Sequence, residues 1–267
     1  MRAAFIDSRR VLDDGLIHVI LAGTGSPRID AVRSHSCTAL VANGQLLVFD
    51  VGPRAAAQLS LQGYPIMDVE YVFLTHMHSD HMGGIANLIN LSYVNGRRTV
   101  VHVYGPDDSK NLTHSLYPPT SKEYRAGNES TTPFGLPDTR RINELDANDL
   151  WTGLVWDDGP EPGLVYIPGV SDMVDGNNKA YSADVVIRTG NKQIPEVPDG
   201  WAYNMAVAHP LADMPNTGEE NHGWGELLEV ITFPDNGSGH GPLVVKAFLV
   251  DHYPAFPSYG YRIEYSG

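Results

Sequence analysis

From residue 16 to residue 106 the apolar positions come in short blocks separated by turn residues, and the spacing changes from block to block. LIHVILA (16–22) is an apolar, β-branched run cut off by GTGSP, which predicts a strand and then a tight glycine turn. Two further β-rich runs, Thr38–Val41 and Leu46–Phe49, flank Asn43-Gly44, the residue pair that favours a two-residue hairpin turn. RAAAQLSLQ (54–62) has helical composition, with Gly63 as its stop. VEYVFLT (69–75) predicts a buried strand, GGIANLINLSYVNG (83–96) a helix closed by Asn95-Gly96, and TVVHVYGP (99–106) another strand. Strand and helix alternate as in an α/β layer fold.

The pattern changes between about residues 106 and 240. Pro, Gly, Asn and Asp cluster there, and only GLVYIPGV (163–170), ADVVIRTG (183–190), NMAVAHPL (204–211) and LLEVITFP (227–234) read as short strands. This stretch is expected to be a loop-rich arm or insertion within one domain spanning 1–267. A clean strand pattern returns at Leu243–Val250 and runs into Asp251-His252.

Composition narrows the chemistry. At 42% hydrophobic and 19% charged residues the chain reads as globular. No apolar run reaches the roughly 18 residues a membrane helix needs, and the first 15 residues carry no apolar leader segment. A cytoplasmic protein is expected, or an exported one if a leader has been removed. A single cysteine, Cys37, excludes an internal disulfide and a multi-cysteine zinc site, so any metal must be held by His and carboxylate. The net charge of −14 argues against a phosphate backbone as substrate, though a local basic patch can exist on an acidic protein.

The residues that carry chemistry lie in THMHSDHMGG (75–84), directly after a predicted strand. His76, His78, Asp80 and His81 fall within six positions. In an extended loop, residues two apart point the same way, so His76 and His78 can face one centre. The natural division gives these two imidazoles to one metal, and Asp80 with His81 to a second. Two zinc ions about 3.5–4 Å apart can share a water and lower its pKa toward neutrality, so that no serine or cysteine nucleophile is needed. The carboxyl end of a buried strand is also a common place for an α/β site.

THMHSDH resembles the His-x-His-x-Asp-His signature of the metallo-β-lactamase superfamily. LAGTGSPRIDAVRSHSCTALVANGQLLVFDVG (21–52) is similar to the opening of its ribonuclease Z and arylsulfatase-like branch, and FLVDHYPAFPSYGYRIEYSG (248–267) to that branch's third-histidine segment. The resemblance implies an αββα sandwich of two sheets with outer helices, here lacking part of its C-terminal half and carrying a large loop-rich insertion. It implies His76, His78 and His252 on one zinc and Asp80 with His81 on another, with Asp80 also positioning the nucleophile and Asp50 orienting the histidine loop. Two departures stand out. GPRAAAQL (52–59) replaces the branch's acidic turn, and the bridging Asp of a Ser-Gly-Asp-Thr turn and a late His are not found. The expectation is therefore an N-terminal portion of a longer protein, with the second metal site weakly held. If the arm supplies the bridging carboxylate instead, Asp213 and Asp235 are the residues to examine.

The implied function is hydrolysis of an ester bond (aryl sulfate, phosphodiester or carboxylic ester) by a zinc-activated hydroxide, with one or two Zn2+. A ribonuclease Z-like tRNA 3′ endonuclease and a non-catalytic metal-binding remnant are the alternatives. A small-molecule substrate is favoured over nucleic acid, with a homodimer possible and no membrane association. His35 reads as a pocket-wall or surface residue, Cys37 as a buried small hydrophobe, and His209, His222 and His240 as structural or exposed. His209 is the one of these a strand-loop setting could bring over the metals. Trp201, Tyr203, Trp224, Tyr253, Phe256 and Tyr259 read as packing aromatics.

Overall fold

The computed structural model describes residues 10–12, 14–106, 169–189, 205–211, 227–237, 239–250, 252 and 258–265. The first apolar run forms β1 (His18–Gly23), and the runs around Asn43-Gly44 form β2 (Cys37–Ala42) and β3 (Gln45–Phe49). Asn43 and Gly44 take φ of 52° and 74°, the left-handed values a two-residue hairpin requires. There follow α1 (Ala55–Leu61), a 3-10 turn (Ile66–Asp68), β4 (Val69–Phe73), α2 (Ser79–Met82), α3 (Ile85–Val94) and β5 (Val101–Gly105). Beyond residue 168 come α4 (Val170–Thr189), β6 (Ala206–Pro210), β7 (Leu228–Phe233), β8 (Leu243–Leu249) and β9 (Tyr259–Tyr265).

The strands make two sheets, β1-β2-β3-β4-β5-β6 and β7-β8-β9. Within the first, β1 pairs with β2 and β2 with β3 antiparallel, whereas β3, β4, β5 and β6 run parallel. The second is an antiparallel meander. One face of the large sheet packs on helices: Val41, Val48, Val72 and Val103 meet Leu59 of α1, Leu88 and Ile89 of α3 and Val174 of α4. The opposite face meets the small sheet, where Leu40, Leu47 and Phe73 pack against Phe233, Leu243 and Val245. This explains why β3 reads as an unbroken apolar run: Leu46 and Val48 face the helices while Leu47 faces the second sheet.

The arm reading needs correction at three places. ADVVIRT (183–189) does not form a strand; it closes the 20-residue helix α4. The helix escapes an apolar-period reading because Asn177 and Asn178 occupy buried positions on the same face as Val170, Val174 and Val185. Asn178 earns its burial by hydrogen bonding: its Nδ2 donates to Ala206 O (2.8 Å), and its Oδ1 accepts from Met205 N (3.1 Å) and Ala206 N (3.3 Å). It thereby stitches α4 to the start of β6. The runs read as strands within 204–211 and 227–234 do form strands at Ala206–Pro210 and Leu228–Phe233, and they join the two sheets as β6 of the first and β7 of the second. No helix among the described residues is long and apolar enough to cross a membrane.

Candidate metal centre

Three parallel strands bring their carboxyl ends to one edge, and the histidine loop leaves from β4 at that edge. Asp50, the residue after β3, sits beneath the loop. Its backbone takes φ 57°, a left-handed conformation tolerated by Asp better than by most side chains. That turn aims the carboxylate across at the end of β4. Asp50 Oδ1 accepts from Thr75 N (2.8 Å), both carboxylate oxygens accept from Thr75 Oγ1 (3.0 Å), and Oδ2 lies 2.7 Å from His81 Nδ1. Thr75 Oγ1 also lies 2.8 Å from His76 Nδ1. One buried carboxylate thus fixes the loop's first residue directly, His81 directly, and His76 through Thr75.

The backbone around this core is closed on both sides. Val51 N donates to His81 O (2.6 Å), Gly84 N to Val51 O (2.7 Å), and Tyr259 N at the start of β9 to Thr75 O (2.8 Å). Gly52 has no room for a side chain, since a Cβ there would meet the Asp80 carbonyl oxygen and His35. Gly84 likewise presses on the Gly52 carbonyl.

The Nδ1 edges of His76 and His81 are taken by this network, which leaves the opposite ring edges facing the centre. His76 Nε2 and His78 Nδ1 stand 3.0 Å apart. A ligand atom from each of His76, His78 and His252 lies within 4.8 Å of the other two. His252 arrives from the far side, on the segment after β8, with its ring centroid 4.5 Å from that of His76. Asp80 and His81 lie beside this trio, with Asp80 Oδ2 3.6 Å from His81 Nε2. Ser79–Met82 is a turn of helix, so Asp80 does not continue the extended alternation of His76 and His78. All five sequence-predicted residues therefore meet in one place, in two adjacent groups.

Charge states suit a cation. Burial, then the neighbouring rings of His81, His252 and His78, lowers His76 to about 3. Burial, then His252, also holds His78 below the ordinary histidine range. Both are neutral at pH 7 and present lone pairs. Burial opposes protonation of His81, but the hydrogen bond and charge of Asp50, with Asp80, outweigh it and raise its pKa. Two imidazole nitrogens bound to one tetrahedral zinc at about 2.0–2.1 Å stand roughly 3.3 Å apart, a few tenths of an ångström from the 3.0 Å between His76 Nε2 and His78 Nδ1. The donor set fits a zinc-like ion.

The trio opens into a pocket of about 490 Å³, lined by His78, Asp80, His81 and His252 and by Gly23–Pro27 and Ser36. The GTGSP turn is thus part of the pocket wall, a role its glycine pattern alone did not reveal. Thr75 was also missed as a hub; its place directly before the histidine run was the available signal. Asp235 is exposed and accepts from Gly237 N (3.1 Å) and Gly239 N (3.2 Å) in its own turn, whereas Asp213 lies outside the described residues. His35 is half-buried beneath Gly52 rather than in the pocket wall. Cys37 is fully buried, and burial pushes its thiol up to about 12, which removes it as a nucleophile. His209 meets His102, not the trio, and His240 lies near the Tyr265 ring. Tyr259 is a packing residue that donates its hydroxyl to Leu211 O (3.0 Å). His222, Trp201, Tyr203, Trp224, Tyr253 and Phe256 lie outside the described residues.

The family model described as the metallo-beta-lactamase superfamily matches residues 30–169. A ribonuclease Z from Pyrococcus abyssi (strain GE5 / Orsay) is 30% identical over 151 residues, covering 57% of this chain and 48% of that protein. A ribonuclease Z from Thermococcus onnurineus (strain NA1) is 36% identical over 91 residues, 34% of this chain and 29% of that protein. The chain spans about half or less of the length of these relatives. Among solved structures, the short form of human tRNase Z aligns with a TM-score of 0.44 at 17% identity, over 94% of this chain and 66% of that one. The metallo-beta-lactamase fold protein YhfI from Bacillus subtilis aligns with a TM-score of 0.44 at 12% identity, over 93% and 57%.

Proposed function

The chain belongs to the metallo-beta-lactamase superfamily, and from that premise we propose that it serves metal-dependent hydrolysis of phosphodiester bonds in RNA, in the manner of a ribonuclease Z. The observation that carries the reading is the convergence of His76, His78 and His252, of which His78 and His252 line an open pocket together with Asp80 and His81. In this reading the three histidines hold one zinc-like ion, and Asp80 with His81 hold a second. Bound metal supplies Lewis acidity that acidifies water and polarises the ester. The chain's own groups do the positioning. Asp50 locks Thr75 and His81, so the loop is set before substrate arrives. The Asp80 carboxylate, buried and lining the pocket, would take the proton of the attacking water in this reading. Thr24 and Ser26 hydroxyls on the wall can donate to phosphate oxygens.

Two observations favour RNA over the small ester substrate that whole-chain charge suggests. Relatives at 30–36% identity are ribonucleases Z. The loop that lines the pocket also continues into exposed Arg28 and Arg33, and Arg54 reaches the same loop by donating to Asp30 O (3.4 Å). A charge of −14 spread over the chain does not describe the pocket mouth. The small-ester reading keeps one point in its favour, the Pro53-Arg54 turn in place of an acidic one.

The test offers the zinc-loaded chain a tRNA precursor with a 3′ trailer, an aryl phosphodiester and an aryl sulfate. Cleavage of the precursor, lost in His76→Ala, is expected. Turnover of the aryl esters alone would install the small-molecule reading. Metal binding with no turnover of any of the three would overturn both.

A further inference from the structure

We propose that His102 and His209 form a second, separate binding site for a divalent transition metal, at the outer edge of the six-stranded sheet. His102 lies on β5 and His209 on β6, the edge strand among the described residues. The register pairs Tyr104 with His209 and His102 with Val207, so the two histidines are diagonal neighbours on one face. His102 Nδ1 and His209 Nε2 stand 2.8 Å apart. The spacing is close to the 3.0 Å between His76 and His78, and the rings need to part by only about half an ångström to reach the roughly 3.3 Å that two imidazole ligands adopt around a tetrahedral zinc.

The rings are held in place. Tyr71 stacks on His102 with centroids 5.4 Å apart and planes at 17°, and Tyr104 stacks on His209 at 4.5 Å and 15°. Neither ring needs to be ordered on binding, so little side-chain entropy opposes it. Both histidines are half-buried, which leaves an open side where water can complete the coordination. Burial also keeps both imidazoles below their ordinary pKa, so both are neutral near pH 7. In the metal-free pair one ring nitrogen donates its N–H to the other. Metal binding moves that hydrogen to the outer nitrogen of the same ring, a change of tautomer with no net release of protons. Imidazole pairs favour zinc, nickel and copper over magnesium and calcium. A bound ion would bridge β5 and β6 beside their backbone pairing.

The experiment titrates zinc into the full chain stripped of metal and counts equivalents. His102→Gln and His209→Gln are each expected to bind one equivalent fewer than the wild-type chain, with the affinity of the His76–His78–His252 centre and phosphodiester turnover unchanged. Circular dichroism establishes that the variants fold. A second readout needs no variant. With zinc already bound at the main centre, substoichiometric Cu2+ is expected to broaden the ring-proton signals of His102, His209, Tyr71 and Tyr104 before any other rings. Equal zinc stoichiometry in wild type and folded variants, or rings of these four residues untouched by Cu2+, overturns the site.

Discussion

Asp50 carries more of the site than its neighbours, and it does so without facing the pocket. It accepts from a backbone N–H and a hydroxyl of Thr75 and contacts His81, all from a strained left-handed backbone. Asp50→Asn keeps the shape but loses charge and one acceptor. We expect it to lower metal affinity or turnover by about 10–100-fold, the usual cost of losing a ligand's supporting partner, as read by metal titration and kinetics. His76→Ala is expected to remove metal outright, as read by elemental analysis; unchanged metal content would remove His76 from the ligand set. Protonation gives a second handle. In the metal-free chain His76 has a folded pKa of about 3, below the roughly 6.5 of an unfolded histidine. Between those values the unfolded chain holds more protons, so this residue makes stability fall as pH falls through the window. His81 works the other way. Its pKa is raised, so the stabilisation from its protonated contact with Asp50 is complete below about pH 6.5 and is lost as pH rises through its folded pKa. Replacing His76 by Gln should therefore flatten the decline of Tm between about pH 6.5 and 4, and an unchanged slope would show that His76 is not the buried neutral group described. Four of the candidate ligands were legible from sequence because four donors in six positions are a dense local signal, whereas His252 was read through the family resemblance. Asp50 was legible only through family resemblance, because its partners lie 25 and 31 positions away.

At the scale of elements, the site depends on how closely two turns can approach. Residues 51–52 and the 78–84 segment are backbone against backbone: Val51 N bonds His81 O, and Gly84 N bonds Val51 O. Glycine at 52 and 84 is what permits this contact, since a methyl at either place overlaps a carbonyl oxygen. Gly52→Ala is expected to cost about 1–3 kcal/mol, the usual range for forcing an extra methyl into a filled space, and to lower zinc affinity with it. A Tm within a degree of wild type would refute the close-approach argument. The same scale shows what sequence could and could not reveal. β2, β3, β4 and β5 were readable because their apolar runs face two layers at once. α4 was not, because its buried face carries Asn177 and Asn178, whose role depends on the backbone of residues 205 and 206. The membership of β6 and β7 in different sheets was unreadable for a related reason: pairing over such distances leaves no trace in local spacing.

For the whole molecule, the question is how an acidic chain would meet an acidic polymer. Sequence charge is a sum, whereas a substrate meets the field at the pocket mouth. On the loop that continues from the pocket-lining turn, the exposed cations among the described residues are Arg28 and Arg33, with Arg54 donating to Asp30 O, and Asp30 is held to the same loop by hydrogen bonds from Val32 N and Arg33 N. Those hydrogen bonds, led by the one from Arg33, keep the Asp30 carboxyl below its ordinary pKa. Its single negative charge offsets only part of the three positive ones. The proposal therefore predicts RNA binding that weakens with salt despite the net charge of −14. On single-stranded RNA each phosphate contact contributes about 0.7 to the slope of log K against log salt concentration. Arg33→Ala should lower affinity evenly across RNA sequences and reduce that slope by about 0.7. The triple replacement of Arg28, Arg33 and Arg54 by Ala should reduce it by about 2, with metal content and the turnover of a small aryl phosphodiester unchanged. This last contrast separates recognition from chemistry, because these arginines would hold the polymer and take no part in the bond cleavage. If the triple variant binds RNA with the wild-type slope, the polymer does not enter over this loop. If the wild-type chain shows no salt-dependent binding at all, the case for RNA at this pocket fails and the small-ester reading takes its place.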